Sequence, residues 1–373
     1  MRKHLYFYSD APEWGGQEIL AARIANILSE NFKVHFFFSA KNFQTELLPA
    51  VEQIPLPFHS QGPFPILRDR IPGKERTARK LFEVMGAGKG DFKKLIVCPG
   101  NIERCIPGIR AARKLGLDVI SYYPMAFSQK ESRATLGFLR DWLAKSIYPL
   151  ISMWIVNTPY QERLLRRFIS KDTEVYQLPN PLTYKEDAAP KKPDDIKQVV
   201  SIGRLYFGQK GQQIIPEIAE YLDEDSKVRF HVIGQGPDAD KLKKIADSKK
   251  VSHKMFYTPW ASPTEIREQL LKYTDILLIP SKFESGPMVL FEALQCGVPI
   301  LVADEDYVKD YHLPEWMTFK PGTPRDAAQK IVDMAADWNE DDFETTRSFL
   351  FAGRRQEEFR QKVIEIFSKL SDG

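Results

Sequence analysis

A chain of 373 residues with 43% hydrophobic and 12% aromatic content has enough apolar side chain for two domains of ordinary size, and it reads as soluble and globular. No apolar run approaches the roughly 20 residues that span a bilayer, and three cysteines, odd in number and without Cys-x-x-Cys spacing, argue against a structural zinc site and for a reducing compartment, so the cytoplasm is expected. The net charge of +3 conceals an asymmetry: residues 1–182 hold 26 Lys and Arg against 17 Asp and Glu, whereas residues 183–373 hold 27 against 33. A basic first half suits anionic lipid headgroups or a phosphorylated acceptor, with a solvated helix face as the plain alternative. Nucleic acid is disfavoured, because no reading motif interleaves the basic residues and the second half is acidic.

In chain order, the first half alternates short apolar runs with helical periods. Strands are expected at His4–Ser9, Val34–Phe38, Lys94–Cys98, Val119–Tyr123 and Trp154–Asn157, with helices such as Gly16–Glu30 and Ile102–Leu115 between them. The His4–Ser9 run is too short for a signal peptide's apolar region and reads as the first strand. Such βα alternation implies a parallel sheet covered on both faces, with ligand-facing loops at the carboxyl ends of its strands. Gly15 and Gly16 fall on one such loop.

Between Ile54 and Gly73 the pattern gives way to a proline-rich segment that carries Phe58, Phe64, Ile66 and Leu67 beside Arg68 and Arg70, as a long binding loop would. A charged, proline-rich stretch after Asn180-Pro181, from Lys185 to Asp195, reads as the interdomain linker. Strands then resume at Gln198–Gly203, Val228–Ile233, Met255–Thr258, Ile276–Pro280 and Pro299–Ala303, and Asp341 to Leu370 reads as one amphipathic helix or a pair.

The chemistry concentrates at Glu284 and Glu292. The run Thr274 to Pro280 is a short buried strand, and Pro287 to Gly297 has proline near the first turn of a helix and glycine at its end. Glu284 therefore lies at a strand's carboxyl end and Glu292 about one and a half turns into the helix. One ligand can then meet both carboxylates and direct its phosphates at the unpaired N–H groups of the helix start, as a sugar nucleotide would. Arg204 and Lys210 follow a strand that ends in Gly203, one able to fork onto phosphate oxygens and the other a point charge.

Glu284-x7-Glu292 followed by Ala293-Leu294-Gln295-Cys296-Gly297-Val298-Pro299-Ile300 resembles the signature of retaining glycosyltransferases of family 4, also called glycosyl transferases group 1. Gly203-Arg204-Leu205 with Lys210-Gly211, then Val232 to Pro237, are similar to further segments of that family in the same order, and Gly15-Gly16 is similar to its glycine-glycine loop. The resemblance implies an α/β fold of GT-B architecture, two Rossmann-like domains facing across a cleft. An acceptor domain is expected over 1–182, a nucleotide-sugar domain over 183–350, and a terminal helix over 351–373 that packs back on the first domain.

It further implies transfer of a hexose from a nucleotide sugar, a UDP-sugar, to a hydroxyl of a lipid-linked or cell-envelope glycan. The donor is then a co-substrate, with no resident cofactor and no metal, and the enzyme is cytoplasmic or peripheral on the inner face of the cell membrane. Catalytic roles fall to Arg204, Lys210 and Glu284, the first two on the diphosphate and Glu284 on the sugar hydroxyls. Glu292 takes the ribose, and Gly234 and Trp260 border the diphosphate and base. Where many relatives carry phenylalanine-glycine this chain has Gly286-Pro287; proline offers no N–H, so the amides of Gly286, Met288, Val289 or Leu290 supply the contacts.

On the acceptor side the expectations are Tyr123, Arg68 and Arg70. The family's first-domain histidine is replaced here by the Ser121 to Met125 segment, and no histidine is assigned a role. The Asp238-Ala239-Asp240 and Asp304-Glu305-Asp306 patterns superficially match a metal-binding Asp-x-Asp, a reading set aside here; the first reads as the opening of a helix after the Gly234-Gln235-Gly236 turn. The competing readings are a sugar-nucleotide epimerase of similar fold and a nucleotide-sugar-binding protein without turnover. A dinucleotide-dependent oxidoreductase is disfavoured by the lack of Gly-x-Gly-x-x-Gly after a strand.

Overall fold

The computed structural model describes residues 2–372 except 13–15, 40–46, 61–64, 70–71, 89–91, 132–133, 186, 194–195, 224–225 and 260. Contacts divide the chain into two compact units, Met1–Asn180 with Glu357–Gly373, and Pro181–Gln356.

The first unit contains strands β1 (His4–Ser9), β2 (Lys33–Phe38), β3 (Glu52–Pro55), β4 (Lys94–Val97), β5 (Asp118–Tyr122), β6 (Met153–Val156) and β7 (Glu174–Gln177). Its helices are α1 (Gly16–Leu28), α2 (Pro65–Arg68), α3 (Pro72–Val84), α4 (Ile106–Lys114), α5 (Gly137–Ala144) and α6 (Pro159–Leu165). The strands form one parallel sheet in the order β3-β2-β1-β4-β5-β6-β7. Two-sided burial explains the apolar runs in the sequence. Leu5 and Phe7 of β1 enter one core with Phe36 and Ala25, while Tyr6 and Tyr8 enter the other with Phe37, Phe82 and Phe92.

The second unit contains β8 (Gln198–Ile202), β9 (Arg229–Ile233), β10 (Met255–Thr258), β11 (Ile276–Ile279), β12 (Ile300–Ala303) and β13 (Thr318–Phe319), again parallel, in the order β10-β9-β8-β11-β12-β13. Helices α7 (Phe207–Lys210), α8 (Ile215–Tyr221), α9 (Ala239–Ser248), α10 (Pro263–Tyr273), α11 (Met288–Gln295), α12 (Pro324–Asp337) and α13 (Glu340–Phe351) accompany it. Strand order reverses between β8 and β11, so the loops leaving these two strands diverge to opposite faces and leave a crevice at their carboxyl ends.

Two features depart from the sequence reading. The stretch 54–73, expected as one irregular connection, includes the end of β3, the helical turn α2 with Ile66 fully buried, and the start of α3. The supposed linker is a strap held on the second unit: Ala188 N donates to Gln295 O at 2.6 Å, Lys191 N to Gly297 O at 2.7 Å, and Lys191 Nζ to Leu270 O at 2.8 Å. The terminal segment does not depart from the reading: it is the helix pair allowed for, α13 and α14 (Gln356–Asp372), and α14 buries Phe359, Val363, Ile366, Phe367 and Leu370 in the core that contains Phe7 and Phe36. Each buried phenylalanine contributes about 2 kcal/mol to that docking.

Candidate functional site

The crevice of the second unit is assembled by close backbone approach. A Cβ on Gly234, where φ is 147°, would lie 1.9 Å from the Gly203 carbonyl oxygen, so the ends of β8 and β9 touch only because side chains are missing there. A Cβ on Gly211, where φ is 68°, would lie 2.0 Å from the Pro280 carbonyl oxygen. That contact, with the Lys282 N–H donating to Gln209 O at 2.8 Å, sews the loop after β8 to the loop after β11.

The short helix α7 is fixed at its start by Asp238, whose carboxylate accepts from Phe207 N at 2.9 Å and from Lys241 at 2.7 Å; these bonds hold the carboxyl below its usual range. Asp238 stands at the N-cap of α9, as expected of a residue that opens that helix, but its side chain makes no cap bond there and serves the loop that carries Lys210 instead.

Lys210 and Glu284 come together across this seam. Lys210 Nζ lies 2.5 Å from Glu284 Oε1, and the side chains are 20% and 7% exposed. The carboxylate sits among aromatics: burial first, then its charge, pushes the Tyr307 phenol up. Arg204 stands one loop residue beyond Gly203 with an exposed side chain and no ion-pair partner among the described residues. Its carbonyl accepts from Tyr206 N and Gln212 Nε2, both at 2.9 Å, so the backbone is pinned while the guanidinium is available.

Downstream, Gly286 adopts a φ of 108° and Pro287 is the N-cap of α11, with φ of −65°. Met288 and Val289 occupy the first two helical positions, whose N–H groups have no intrahelical acceptor. Leu290 departs from the expectation: its N–H already donates to Pro287 O at 3.1 Å because the first turn is tight, and its side chain is fully buried.

Glu292 projects from α11 to accept from Thr183 Oγ1 at 2.9 Å. Desolvation raises its carboxyl above the usual range, and the Thr183 bond offsets part of that. Gln295, one turn on, accepts from Tyr184 N at 3.1 Å and donates to Tyr184 O at 2.9 Å, which anchors the strap that carries Thr183. Thr183 is the site residue that sequence reasoning missed; only its position just after Asn180-Pro181 hinted at it. Beside Gly211 a cavity of about 260 Å³ opens among Pro280, Lys282, Ala303, Glu305 and Phe319, smaller than the roughly 300–1,000 Å³ of whole-ligand sites.

In the first unit, Gly16 begins α1 and Arg68 ends α2, both exposed. Gln17 Nε2 ties the start of α1 to the end of β5 through Tyr122 O at 3.2 Å. Tyr123 is placed otherwise than an acceptor contact requires: its side chain is fully buried, with its ring 5.2 Å from that of Trp154. Lys74, one of the basic residues behind the charge asymmetry, is committed to Asp69 at 2.6 Å. Gly15, Arg70 and Trp260 lie outside the described residues.

Residues 184–359 match the family model for glycosyl transferases group 1. This segment belongs to that family. The group 1 glycosyltransferase segment contains the strap from Tyr184 onward, the Lys210–Glu284 pair and all of α11. The chain is 27% identical over 234 residues to the lipopolysaccharide 1,6-galactosyltransferase of Salmonella typhimurium, a match that covers 61% of each protein. The matched stretches span 56% to 61% of the length of such curated relatives.

Among solved structures, the chain is similar to the apo form of the lipopolysaccharide outer core galactosyltransferase WaaB, with a TM-score of 0.69 and 19% identity over 98% of this chain and 99% of that one. It is also similar to Anabaena HepE in complex with UDP and glucose, with a TM-score of 0.75 and 14% identity over 99% of this chain and 100% of that one. At these identities the likeness establishes the fold, the two-domain α/β GT-B fold.

Proposed function

We propose that the protein is a glycosyltransferase that moves a hexose from a UDP-sugar to a hydroxyl of a lipid-linked or cell-envelope glycan. The observation that carries this reading is the meeting of Lys210 and Glu284 at the strand-order reversal, beside the start of the helix that holds Glu292. The relatives' names support the acceptor class, since one is a lipopolysaccharide galactosyltransferase. The UDP in the HepE complex supports the donor class.

In this reading the anomeric C–O bond to the diphosphate breaks and a new anomeric C–O bond forms to the acceptor oxygen, whose proton passes to the departing diphosphate. Negative charge grows on that diphosphate, and Arg204, Lys210 and the first amides of α11 stabilise it. Glu284 accepts from sugar hydroxyls, and Glu292 with Thr183 holds the ribose. Attack and departure on the same sugar face retain the anomeric configuration, as the family 4 resemblance implies. The donor is a co-substrate, and the protein's own cations supply the charge the step needs without a resident cofactor or metal. Among the described residues no helix is long and apolar enough to cross a membrane; the enzyme works in the cytoplasm, at the inner face of the membrane that holds its acceptor.

A thermal-shift panel of UDP, GDP, ADP, CMP and NAD tests the donor, because a ligand of the native state raises its midpoint. UDP is expected to stabilise the parent selectively. Arg204→Ala is expected to slow UDP release from the sugar donor roughly 10²-fold. Parent-like turnover in Arg204→Ala removes that residue from the leaving-group role, and indifference to every nucleotide overturns the transferase reading.

A further inference from the structure

We propose that the outward arc of α5, together with Leu67 and Arg68 of α2, docks the protein on the surface of an anionic phospholipid bilayer. Of the thirteen exposed large hydrophobic side chains among the described residues, five fall here: Leu67 at 44% exposure, Leu136 at 58%, Phe138 at 73%, Leu139 at 40% and Trp142 at 59%. Single exposed hydrophobics need no explanation, but a concentration of this kind does. α2 and α5 pack against each other, and their buried Ile66, Leu143 and Ala144 enter a single core. At helical spacing Phe138, Trp142 and Lys145 share the face opposite Arg140 and Ala144, with Leu139 beside them.

The arc is held firmly. Arg140 turns inward to the fully buried Glu103, Nε to Oε1 at 2.8 Å, and its second nitrogen bonds the other carboxylate oxygen. Asp141, the only acid on α5, accepts from Ser128 Oγ at 2.7 Å, Gln129 N at 2.7 Å and Lys130 N at 3.0 Å. Its charge is therefore spent inside the loop before the helix. What remains outward is apolar and aromatic, with exposed Lys145 at one end and exposed Arg68 alongside.

That combination selects the partner. A few aromatic and aliphatic side chains with basic neighbours suffice for shallow insertion among anionic headgroups. A stable protein interface uses about 20–30 residues a side, more than these two short helices present. The inference goes beyond the donor-site reading and does not depend on it, since bilayer binding is measured without nucleotide.

The test is co-sedimentation of the full chain with vesicles of phosphatidylcholine alone and of phosphatidylcholine mixed with phosphatidylglycerol. The parent is expected to bind the mixed vesicles, and Phe138→Ser and Trp142→Ser to weaken that binding roughly tenfold each. Lys145→Ser and Arg68→Ser are expected to weaken it about fivefold each, an effect that fades as salt rises. A parent-like thermal midpoint certifies that each variant is folded. Independently of any loss of binding, brominated lipid chains should quench the fluorescence component that Trp142→Phe removes. The proposal is overturned if the parent stays in the supernatant with mixed vesicles. It is equally overturned if the Phe138→Ser/Trp142→Ser protein binds like the parent, or if those changes only turn a dimer into a monomer.

Discussion

Replacing Lys210 by methionine separates the structural from the chemical role of the Lys210–Glu284 pair. The two charges are 2.5 Å apart and largely buried. At an effective dielectric of about 20 such a pair attracts by roughly 7 kcal/mol before desolvation is subtracted. Truncating one partner of a buried pair costs about 3–5 kcal/mol, because the other charge is left without compensation. Residual exposure of Lys210 places the expectation for Lys210→Met at the low end, about 3 kcal/mol, or a fall in thermal midpoint of roughly 6–12 °C for a unit of this size.

The double variant Lys210→Met/Glu284→Gln leaves no buried charge and is expected to recover to within about 1 kcal/mol of the parent. UDP affinity behaves differently. It should fall roughly 10- to 100-fold in both variants, since a charged donor to phosphate is gone in each. Calorimetric melting and isothermal titration with UDP read the two effects separately, and UDP lacks the hexose that Glu284 holds in this reading. A double variant that binds UDP as tightly as the parent refutes the phosphate role of Lys210. A single variant that melts with the parent refutes the buried-pair argument.

Gly234→Ala drives a methyl group into the Gly203 carbonyl at a backbone angle alanine rarely adopts; a loss of about 3 kcal/mol or more in urea unfolding is expected, and an unchanged midpoint would count against the seam. Thr183→Val removes the hydroxyl that favours the charged form of Glu292. UDP affinity should drop by about 1 kcal/mol and fail at a higher pH than in the parent as acid is added; superimposable pH profiles would remove Thr183 from the ribose site.

In the first unit, burial and then the Asp69 charge push Asp10 up to about 6, against bonds from the Cys105 N–H and Tyr8 hydroxyl and the Arg104 charge, which favour ionisation. Because the folded value lies above the unfolded one, the associated stability is present below the unfolded value of 3.8 and is lost as pH rises through about 6. Asp10→Asn should therefore gain roughly 2–3 kcal/mol relative to the parent between about pH 4 and pH 8. Parallel stability curves for the two proteins would contradict this.

The alternation of strands and helices is legible in the residue pattern, because a parallel sheet covered on both faces demands near-continuous apolar runs such as Ile276 to Ile279 that stand out from polar surroundings. The residue pattern also singled out Arg204, Lys210, Glu284 and Glu292, whose charges adjoin glycines and a proline that mark strand ends and a helix start. It did not reveal β3 or β7, since edge strands such as Glu174–Gln177 are half polar and take their identity from one neighbour.

The pairings come from the folded chain. The Lys210–Glu284 contact spans 74 positions and exists because Gly211 lies on the Pro280 carbonyl, a matter of backbone approach that no local pattern encodes. Thr183 reaches Glu292 from 109 positions away because Gln295 clamps the strap that follows it. Tyr123, polar and next to a proline, reads as a surface candidate, yet the register of β5 against β6 turns it onto Trp154. Residue type and spacing set which groups can do chemistry; the order of strands in the sheet sets which of them meet.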